Sequence, residues 1–159
     1  MGDAVDSTRF RQVLGHFATG VTVVSALADG PVGLAVGAFF SVSLEPPLVG
    51  FCVTKDSGTW PLIRAADSFC VNVLGEHQED VSRQFSAPGI DRFDGLAWEP
   101  TPSGSPRLLD ALAWIDCRID AVHSAGDHDI CVGSVLGLAV SGDDGPLIFY
   151  RGGYGRFAP

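Results

Sequence analysis

The segment after the apolar run Leu48–Val53 contains the side chains best suited to hold a phosphate group. It carries the only lysine of the chain, Lys55, followed by the hydroxyls of Ser57 and Thr59. A short helix is predicted to begin at Thr59, because a proline follows in its first turn. The first N–H groups of a helix have no partner within it and attract anions. The segment is therefore either a phosphate site or an ordinary loop that ends in a helix cap.

A second candidate binding segment, Gly37–Ser43, lies between two predicted core strands. Its small residues allow a ligand to approach the backbone closely. Ser41 and Ser43 are two positions apart, so an extended chain would place both hydroxyls on one side. A buried hairpin with a serine-rich turn explains the same pattern, and spacing alone favours that simpler interpretation.

Side-chain catalysis finds little support elsewhere in the sequence. No serine or cysteine occupies a nucleophile-elbow context, and no local pattern pairs one with a histidine. The four histidines are dispersed and lack metal-site spacing, so we expect no bound metal. No Gly-x-Gly-x-x-Gly motif follows a predicted strand, which argues against a Rossmann dinucleotide site. What remains is a bound cofactor that carries the reaction while the protein supplies position and electrostatics.

Composition favours one domain with an apolar interface. The chain has 159 residues, 46% hydrophobic and 18% charged, and its mean hydropathy is positive. A single domain over residues 1–159 is the simplest interpretation, with a polar tail at 1–7 and a loop rich in proline and glycine at 87–109. A loop this long is usually functional or interfacial. We expect a large apolar interface with a second copy of the chain.

Charge, hydropathy and cysteine usage restrict partners and location. A net charge of −9 argues against nucleic acid, which is bound by clustered Lys and Arg. No window approaches the roughly 20 apolar residues of a membrane span, and the polar N-terminus lacks a signal-peptide pattern. We therefore expect no membrane association and a cytoplasmic location. Four cysteines in apolar segments without a CxxC pair are predicted to be reduced core thiols: Cys52, Cys70, Cys117 and Cys131.

The elements that must position these candidates are mostly β-strands. A helix capped by Asp6 or Ser7 is expected to bury one apolar face, made of Phe10, Val13, Leu14 and Phe17. A polar helix is predicted at 78–85, and a long strand at 111–122 with Asp116 on its water-facing side. Other strands are predicted at 21–26, 34–36, 48–53, 68–74, 130–140 and 146–150, before a glycine-rich tail at 151–157. Many strands with tight turns favour an antiparallel barrel over a doubly wound sheet.

Several segments together resemble one known family. The run GLAVGAFFSVSLEPPLVGFCV is followed in order by KDSGTWPLI, FCVNVL, DRFDG, ALAWIDCRI, AGDHDICVGSV and PLIFYRGGYG. In this order the segments are similar to the short-chain NAD(P)H:flavin reductases, from about Phe17 to Tyr154. Many members of that family are the small components of two-component monooxygenases.

The resemblance implies a mainly β fold, a six-stranded antiparallel Greek-key split β-barrel with a few short peripheral helices. It implies a homodimer with FMN or FAD near the dimer interface and NADH or NADPH as co-substrate. The implied reaction is direct hydride transfer from nicotinamide C4 to flavin N5, which needs no side-chain acid or base. Reduced flavin would then pass to a partner monooxygenase or halogenase.

The resemblance also implies a set of site residues. His128, in the Gly-Asp-His segment, is the candidate catalytic residue on the nicotinamide side, and Tyr154 is expected to flank the same side. Cys52 and Arg92 are further candidates for the cofactor site. The positions that match the family's flavin-binding segments are Ala35, Val36, Gly37, Ala38, Ser41, Val42, Ser43, Lys55, Ser57 and Thr59.

This sequence departs from the family pattern at three of these positions. Ala35, Gly37 and Ala38 replace the usual Thr, Asn and Ser, which removes three side-chain hydrogen-bonding groups. Each lost bond to a buried ligand is worth roughly 0.5–1.5 kcal/mol, although backbone contacts need no side chain. Two alternatives therefore stay open beside the reductase. One is a catalytically silent protein that binds flavin or another planar ligand, and the other is a redox enzyme with a different substrate on the same scaffold.

Overall fold

A computed structural model of the protein describes residues 4–159, and the elements of this part are mostly strands. None of its helices has the length and apolarity that a bilayer span needs. In chain order the elements are α1 (Ser7–Leu14), β1 (Thr19–Gly20), β2 (Thr22–Leu27), β3 (Pro31–Val36), β4 (Phe39–Ser43), β5 (Leu48–Thr54), α2 (Trp60–Ala66), β6 (Ser68–Val73), α3 (Glu79–Ser86), β7 (Trp98–Pro100), β8 (Pro106–Leu108), β9 (Ala113–Ala125), β10 (His128–Val140), β11 (Leu147–Tyr150) and β12 (Gly153–Arg156).

Seven strands form one antiparallel sheet in the order β3-β2-β6-β9-β10-β5-β4. The two longest strands, β9 and β10, pair along their length, and two register shifts in that ladder add twist. The twist brings edge strand β3 close to β5, near the opposite end of the sheet, but the sheet does not close. The predicted mainly β architecture with short helices is confirmed, although the main sheet has seven strands.

The main core lies inside the curved sheet and under α2. Phe51 of β5 meets both Trp60 and Phe69 edge-on, with ring centroids 5.7 and 5.1 Å apart. All three side chains are buried, and burial of such a side chain contributes roughly 1.5–3 kcal/mol. Gly133 lets β10 approach this layer, because a Cβ there would lie 2.6 Å from Phe69 Cζ. The core therefore fixes the start of α2 against β5 and β6, where candidate binding residues are found.

Helix α1 begins as expected but does not bury its apolar face in the described chain. Asp6 is the N-cap, and its carboxylate accepts a hydrogen bond from Arg9 N at 2.7 Å. The expectation of a buried face is wrong for the single chain, because the side chains of that face are largely exposed: Phe10, Val13, Leu14 and Phe17. Helical periodicity specifies that one face is apolar, but not which surface covers it.

The predicted loop at 87–109 contains a short hairpin formed by β7 and β8. Asp116 explains how the hairpin is held, and its predicted exposure is wrong because its side chain is fully buried. Its carboxylate accepts hydrogen bonds from Thr101 Oγ1 at 2.7 Å, Ser103 Oγ at 2.6 Å and Ser103 N at 2.9 Å. Asp116 lies on the face of β9 that was expected to meet water. The hairpin covers this face, so the side chain is buried.

A second buried contact fastens the hairpin to β2 and β6. Asn72 Oδ1 accepts a hydrogen bond from Leu108 N at 2.7 Å, and Asn72 Nδ2 donates to Ser25 Oγ at 2.9 Å. Both side chains are fully buried, and Ser25 Oγ also donates to Pro106 O. We call Ser25, Asn72, Thr101, Ser103 and Asp116 the hairpin anchor. The hydrogen bonds of the hairpin anchor hold β7 and β8, within the proline- and glycine-rich segment 87–109, in a fixed position against the main sheet.

Most of the segment expected to be a glycine-rich tail, at 151–157, forms a turn and the strand β12. Strand β12 pairs with β11, and β11 pairs in turn with β1, forming a small three-stranded sheet. The turn between β11 and β12 has Arg151 and Gly152 at φ 51° and 78°. Positive φ at both central residues suits a two-residue hairpin turn, which explains how the glycine-rich sequence continues as a strand.

Candidate functional site

A cavity of about 500 Å³ lies where the end of β3, the end of β5 and the start of β10 meet the loop before α2. Helix α3 and the following loop contribute its remaining wall. Nine of the residues predicted for the site line it: Ala35, Val36, Gly37, Ala38, Cys52, Ser57, Thr59, Arg92 and His128. The size is within the usual range for small-molecule sites, about 300–1,000 Å³.

One wall of the cavity is formed by the end of β3 and the residues that follow it. Strand β3 is an edge strand that pairs only with β2, so its outer row of N–H and C=O groups has no neighbouring strand. Beyond it, Ala38 O accepts a hydrogen bond from Cys52 N at 3.0 Å, which holds this segment beside β5. The wall therefore offers small side chains and accessible main chain.

Arg92 provides the cation of the cavity and is held in place by three hydrogen bonds. Its Nε donates to Ala87 O at 3.1 Å, while Nη1 donates to Gly33 O at 2.9 Å and to Thr59 Oγ1 at 3.3 Å. Gly33 also leaves room for helix α3, because a Cβ there would lie 2.8 Å from Phe85 Cε1. The guanidinium therefore connects β3, the start of α2 and the loop after α3.

Ser57, rather than Thr59, caps helix α2 with its side chain. Ser57 Oγ accepts hydrogen bonds from Thr59 N and Trp60 N, both at 3.2 Å. Thr59 occupies the N-cap position but makes no side-chain cap, since its hydroxyl faces Arg92. The first turn is fixed further by Trp60 Nε1, which donates to the buried carboxylate of Asp129 at 2.9 Å. The predicted helix start is correct, and the hydroxyls of Ser57 and Thr59 have different tasks.

Lys55 lies outside the cavity lining. Its ammonium donates to Ser124 Oγ at 2.6 Å and to Gly126 O at 2.7 Å, in and beside the turn between β9 and β10. Lys55 N also donates to Asp127 O at 2.9 Å. The lysine therefore ties the end of β5 to the turn that precedes His128.

His128 begins β10 at the mouth of the cavity, with about half of its side chain exposed. Its Nδ1 lies 2.7 Å from the carboxylate of Asp127, which is almost fully exposed. The hydrogen bond and charge of His128 lower the pKa of Asp127 from its ordinary value. A carboxylate at Nδ1 favours the proton on that nitrogen, which leaves Nε2 as an acceptor in the neutral ring. No histidine, cysteine or acidic cluster within residues 4–159 forms a group that could hold a metal ion.

All four cysteines are free thiols, as predicted. Cys52 is half-buried and lines the cavity, and burial raises its pKa. The other three are buried in the core, where desolvation raises the pKa of each to about 12, namely Cys70, Cys117 and Cys131. All four thiols therefore stay protonated near neutral pH and do not act as thiolate nucleophiles.

Tyr154 lies beside the main cavity, in a smaller one of about 180 Å³ that shares Ala35, Val36 and Gly37 with it. The Tyr154 hydroxyl is hydrogen-bonded to Ser82 Oγ at 2.8 Å. The guanidinium of Arg83 lies over the ring, 5.0 Å from its centroid. Helix α3 therefore fixes the tyrosine at the edge of the wall formed by β3.

The predicted serine pair is on β4, outside the lining of the cavity. Ser41 and Val42 are exposed and Ser43 is partly buried. A register shift between Ser41 and Ser43 interrupts the pairing of β4 with β5, so the simple alternation expected for these two residues does not hold. The structure therefore separates this trio from the nine residues that surround the cavity.

Sequence reasoning missed several residues that shape the site. Gly33 O accepts a hydrogen bond from the guanidinium of Arg92, while Asp127 is hydrogen-bonded to His128. Phe85 and Ser86 close the wall from α3. Asp127 could have been found from its place beside His128 in the Gly-Asp-His segment. The α3 residues carried no local signal, because only the packing of α3 against β3 brings them to the cavity.

Known proteins resemble this chain over nearly its whole length. The family model described as a flavin reductase like domain matches residues 14–158. The reductase subunit HsaB of a flavin-dependent monooxygenase from Rhodococcus jostii (strain RHA1) is 46% identical over 158 residues, or 99% of this chain and 81% of that protein. A flavin reductase of Pseudomonas putida is 48% identical over 157 residues, or 98% of this chain and 92% of that protein.

A solved structure supports the same relationship in three dimensions. The NADH:FAD oxidoreductase SgcE6 of Streptomyces globisporus C-1027, in complex with NAD and FAD fragments, superposes with a TM-score of 0.92 at 36% identity. The match covers 99% of this chain and 98% of that one. Sequence, family model and fold agree with the order of motifs noted above, and the chain belongs to the flavin reductase like domain family.

Proposed function

We propose that this chain is an NAD(P)H-dependent reductase of free FMN or FAD that supplies reduced flavin to a partner monooxygenase or halogenase. Family membership confirms the predicted family and the predicted class of enzyme, an oxidoreductase acting on flavin. The observation that carries the proposal is the cavity of about 500 Å³, where small residues and main chain at β3 face Ser57, Thr59 and Arg92.

The residues around the cavity fit the two chemical parts of a flavin. A flat ring suits the wall of Ala35, Val36, Gly37 and Ala38, where small side chains leave main-chain groups accessible. Cys52 would add a soft apolar contact to the ring. The anionic phosphate suits the cationic end of the cavity, where Ser57, Thr59 and Arg92 would hold it.

Four other candidate residues, on or beside β4 and β5, lie outside the lining of the main cavity. Lys55 would reach a phosphate only after leaving Ser124 and Gly126, so its first task is to hold the turn before His128. Ser41, Val42 and Ser43 would contact the flavin from β4, from outside the main cavity. We also propose the split-barrel arrangement of the family for the curved, open sheet.

His128 and Tyr154 would define the side from which the nicotinamide enters. When bound, the nicotinamide supplies a hydride and the flavin accepts it, so the protein needs no acid or base for this step. The chain's task is alignment and exclusion of water. His128, oriented by Asp127, would position the nicotinamide at the mouth, while Tyr154, held by Ser82 and Arg83, would support the wall behind.

The replacement of the usual polar side chains by Ala35, Gly37 and Ala38 fits flavin as a transient substrate. An edge strand can offer main-chain donors and acceptors where those side chains are missing. Fewer side-chain bonds lower the affinity, and reduced flavin must leave the site to reach a partner enzyme. The replacement therefore favours release over permanent retention of the flavin.

We propose a homodimer in which the exposed face of α1 contributes to the interface. Phe10, Val13, Leu14 and Phe17 are more than half exposed in the single chain. Phe17 also lines an apolar cavity of about 340 Å³. An apolar surface of this kind usually marks an interface. Sedimentation equilibrium should give twice the chain mass, and Val13→Glu should weaken association. A monomeric wild-type protein would contradict the dimer.

A cytoplasmic location is also part of the proposal. The four cysteines are free, three of them deep in the core, although stable disulfides are common in oxidising compartments. Free thiols and the use of a nicotinamide cofactor both suit a reducing compartment.

One assay tests the proposed activity. Purified protein is mixed with NADH or NADPH and with FMN or FAD, and consumption of the reduced nicotinamide is followed by its absorbance. We expect consumption that requires both the protein and a flavin, while heat-denatured protein serves as the control. A protein that binds flavin but consumes neither nicotinamide would support the silent binding protein instead.

A further inference from the structure

The hairpin of β9 and β10 projects beyond the rest of the main sheet at the end that carries His128. Strand β6 pairs with β9 only as far as Arg118, so within residues 4–159 the end of β9, residues 120–125, has no second strand beside it. On the other side, β5 follows β10 as far as the pair of Thr54 and His128. The turn at 126–127 is exposed. The end of the hairpin is therefore held mainly from the side of β5.

Lys55, directly after β5, makes the contacts that fix this end of the hairpin. Its ammonium donates to Ser124 Oγ at 2.6 Å, on β9, and to Gly126 O at 2.7 Å, in the turn. Its main-chain N–H donates to Asp127 O at 2.9 Å. We call Lys55, Ser124 and Gly126 the turn clamp. Two of the three N–H donors of the ammonium are used, one on the strand and one on the turn.

His128 lies between the turn clamp and a buried attachment of β10. On the core side, the carboxylate of Asp129 accepts a hydrogen bond from Trp60 Nε1 at 2.9 Å. On the turn side, Nδ1 of His128 lies 2.7 Å from the carboxylate of Asp127, which is almost fully exposed. Because so exposed a side chain has little packing, its position follows that of its main chain, which Lys55 N holds. The orientation of the His128 ring therefore depends on Lys55 through Asp127.

The contacts of Lys55 favour this task over phosphate binding. Lys55 lies outside the lining of the main cavity, whereas Arg92 lines it. To reach a phosphate, the ammonium would have to give up two hydrogen bonds, which offsets part of the gain. Both hydrogen bonds are exposed, so their loss should change global stability little. Their main effect is therefore on the local position of the turn.

We propose that Lys55 is a positioning residue for the reaction with the nicotinamide, and that it acts through Ser124 and Gly126 on the placement of His128. The inference rests on the proposed function, in which His128 positions the nicotinamide at the mouth of the cavity. With the turn clamp intact, Asp127 and His128 take one position. Without it, the end of the hairpin moves, and His128 is placed correctly in only a fraction of the molecules. Loss of alignment slows the reaction without changing how the flavin is held.

The test uses two variants of the turn clamp and a matched control for each. Lys55→Met removes the ammonium from a side chain of similar length, and Ser124→Ala removes one of its acceptors. Both side chains are exposed, so the fold should survive. Arg118→Met removes an exposed charge from β9, and Ser134→Ala removes a hydroxyl that donates to Asp120 on the same hairpin. Neither control residue lines the main cavity.

Steady-state kinetics with FMN as acceptor give the first readout. We expect kcat/KM for NADH to fall about tenfold in Lys55→Met and about threefold in Ser124→Ala, and to stay within about twofold in both controls. The double variant should be no slower than Lys55→Met, because the two side chains act as one unit. In a His128→Ala background, Lys55→Met should lower kcat/KM by less than about twofold. An equal fall with and without His128 would overturn the inference, because Lys55 would then act by another route.

Titrations with FMN and riboflavin separate positioning from phosphate binding, because riboflavin lacks the phosphate. We expect Lys55→Met to leave the dissociation constants of both flavins within about twofold of wild type. If Lys55 bound the phosphate, FMN would bind about tenfold more weakly to Lys55→Met and riboflavin would bind as before. That pattern would contradict the positioning role.

A readout that needs no activity keeps the inference distinct from the proposed function. NMR order parameters of the backbone amides at 124–128 should fall from about 0.85 towards about 0.6 in Lys55→Met and stay unchanged in Arg118→Met. If they fall but wild type consumes no nicotinamide, the placement of His128 by Lys55 is supported and the reductase activity is contradicted. If wild type reduces flavin and Lys55→Met leaves kcat/KM for NADH unchanged, the inference is overturned and the reductase activity stands.

Discussion

The hairpin anchor and the cavity are both groups of polar residues, but they use their hydrogen-bonding capacity differently. In the anchor, Asp116 and Asn72 are fully buried and bond to other parts of the chain. Within residues 4–159, no buried side-chain nitrogen or oxygen is left without a partner. Arg92 and His128 line the cavity, and the hydrogen bonds that hold them use Nε and Nη1 of Arg92 and Nδ1 of His128, so other nitrogens of both side chains take no part in fixing them.

The difference shows how polar residues can be assigned to fold or to function. A buried polar group without a partner costs about 1–3 kcal/mol, so a fully satisfied cluster fixes one arrangement of the chain. A polar group that stays accessible to water after folding carries little of this free-energy cost, so it can be left free to bind a ligand. Substitutions in the anchor should therefore lower stability and spare the chemistry of the cavity. Substitution of an accessible group at the cavity should mainly change binding or turnover, whereas Arg92, which also makes three hydrogen bonds within the chain, should affect both.

The largest expected effect is on stability and comes from Asp116→Ala. The substitution leaves the donors of Thr101 and Ser103 without their acceptor in a buried site. We expect a loss of about 3 kcal/mol in the free energy of unfolding, measured by urea denaturation. Glu99→Ala is the control on the same hairpin, because Glu99 is exposed and its ion pair with the partly buried Arg107 is worth about 1 kcal/mol or less. Equal effects of the two substitutions would remove the distinction between anchor and surface.

Arg92→Ala should have the next largest effect, and on both properties. It removes the cation that we propose binds the flavin phosphate, and it leaves Gly33 O and Thr59 Oγ1 without their donor. We expect flavin to bind about thirtyfold more weakly, since charge-assisted hydrogen bonds are worth roughly 1.5–3 kcal/mol. Isothermal titration with FMN measures this loss, and Arg118→Ala provides an arginine control, because Arg118 is exposed on β9 and does not line the main cavity. Unchanged affinity would exclude Arg92 from the phosphate site.

His128→Ala should alter turnover and leave stability nearly unchanged. The side chain is half-exposed, so its loss leaves no cavity in the core. We expect kcat/KM for NADH to fall about tenfold, as for a residue that positions a substrate, while the dissociation constant of FMN stays within about twofold. His123→Ala is the control, because that histidine is exposed on β9 and does not line the main cavity. A parallel loss of flavin binding would assign His128 to the flavin site instead.

The smallest effect concerns the core thiols at high pH. The pKa of Cys131 rises from 9.0 to about 12 on folding. Below pH 9 the thiol is protonated in the folded and the unfolded chain, so its ionisation does not lower the free energy of unfolding. As the pH rises from 9 towards 12, only the unfolded thiol ionises, and the free energy of unfolding falls. At pH 9.5 the loss is about 0.8 kcal/mol per thiol. Urea denaturation at pH 7.5 and 9.5, with reductant, should show a smaller alkaline loss for Cys131→Ala than for wild type, whereas Cys52→Ala should differ less because Cys52 is only partly buried.

Local patterns predicted the strands and pointed to Gly37, Ala38, Ser57 and Thr59, whereas Ala35, Val36 and His128 were implied by the family resemblance. Residues 35–38, Ser57 and Thr59 each lie at the end of an element, and antiparallel pairing brings those ends together. The hairpin at 98–108 could not be predicted, because its strands are three residues long and depend on Asp116 for their position. The target of Lys55 was also hidden, since the partner turn lies about seventy residues further along the chain.

The wall beside β3 has a practical consequence for changing the properties of this protein. A Cβ at Gly37 would meet only Thr19 Oγ1, at 3.4 Å, so a side chain fits there without disturbing the core. The position faces the cavity, and the backbone around it is already held by Cys52 N and by the pairing of β3 with β2. A donor or charge introduced at residue 37 would therefore face the cavity while the scaffold around it stays intact, and it would adjust the electronics of the flavin ring proposed to bind there.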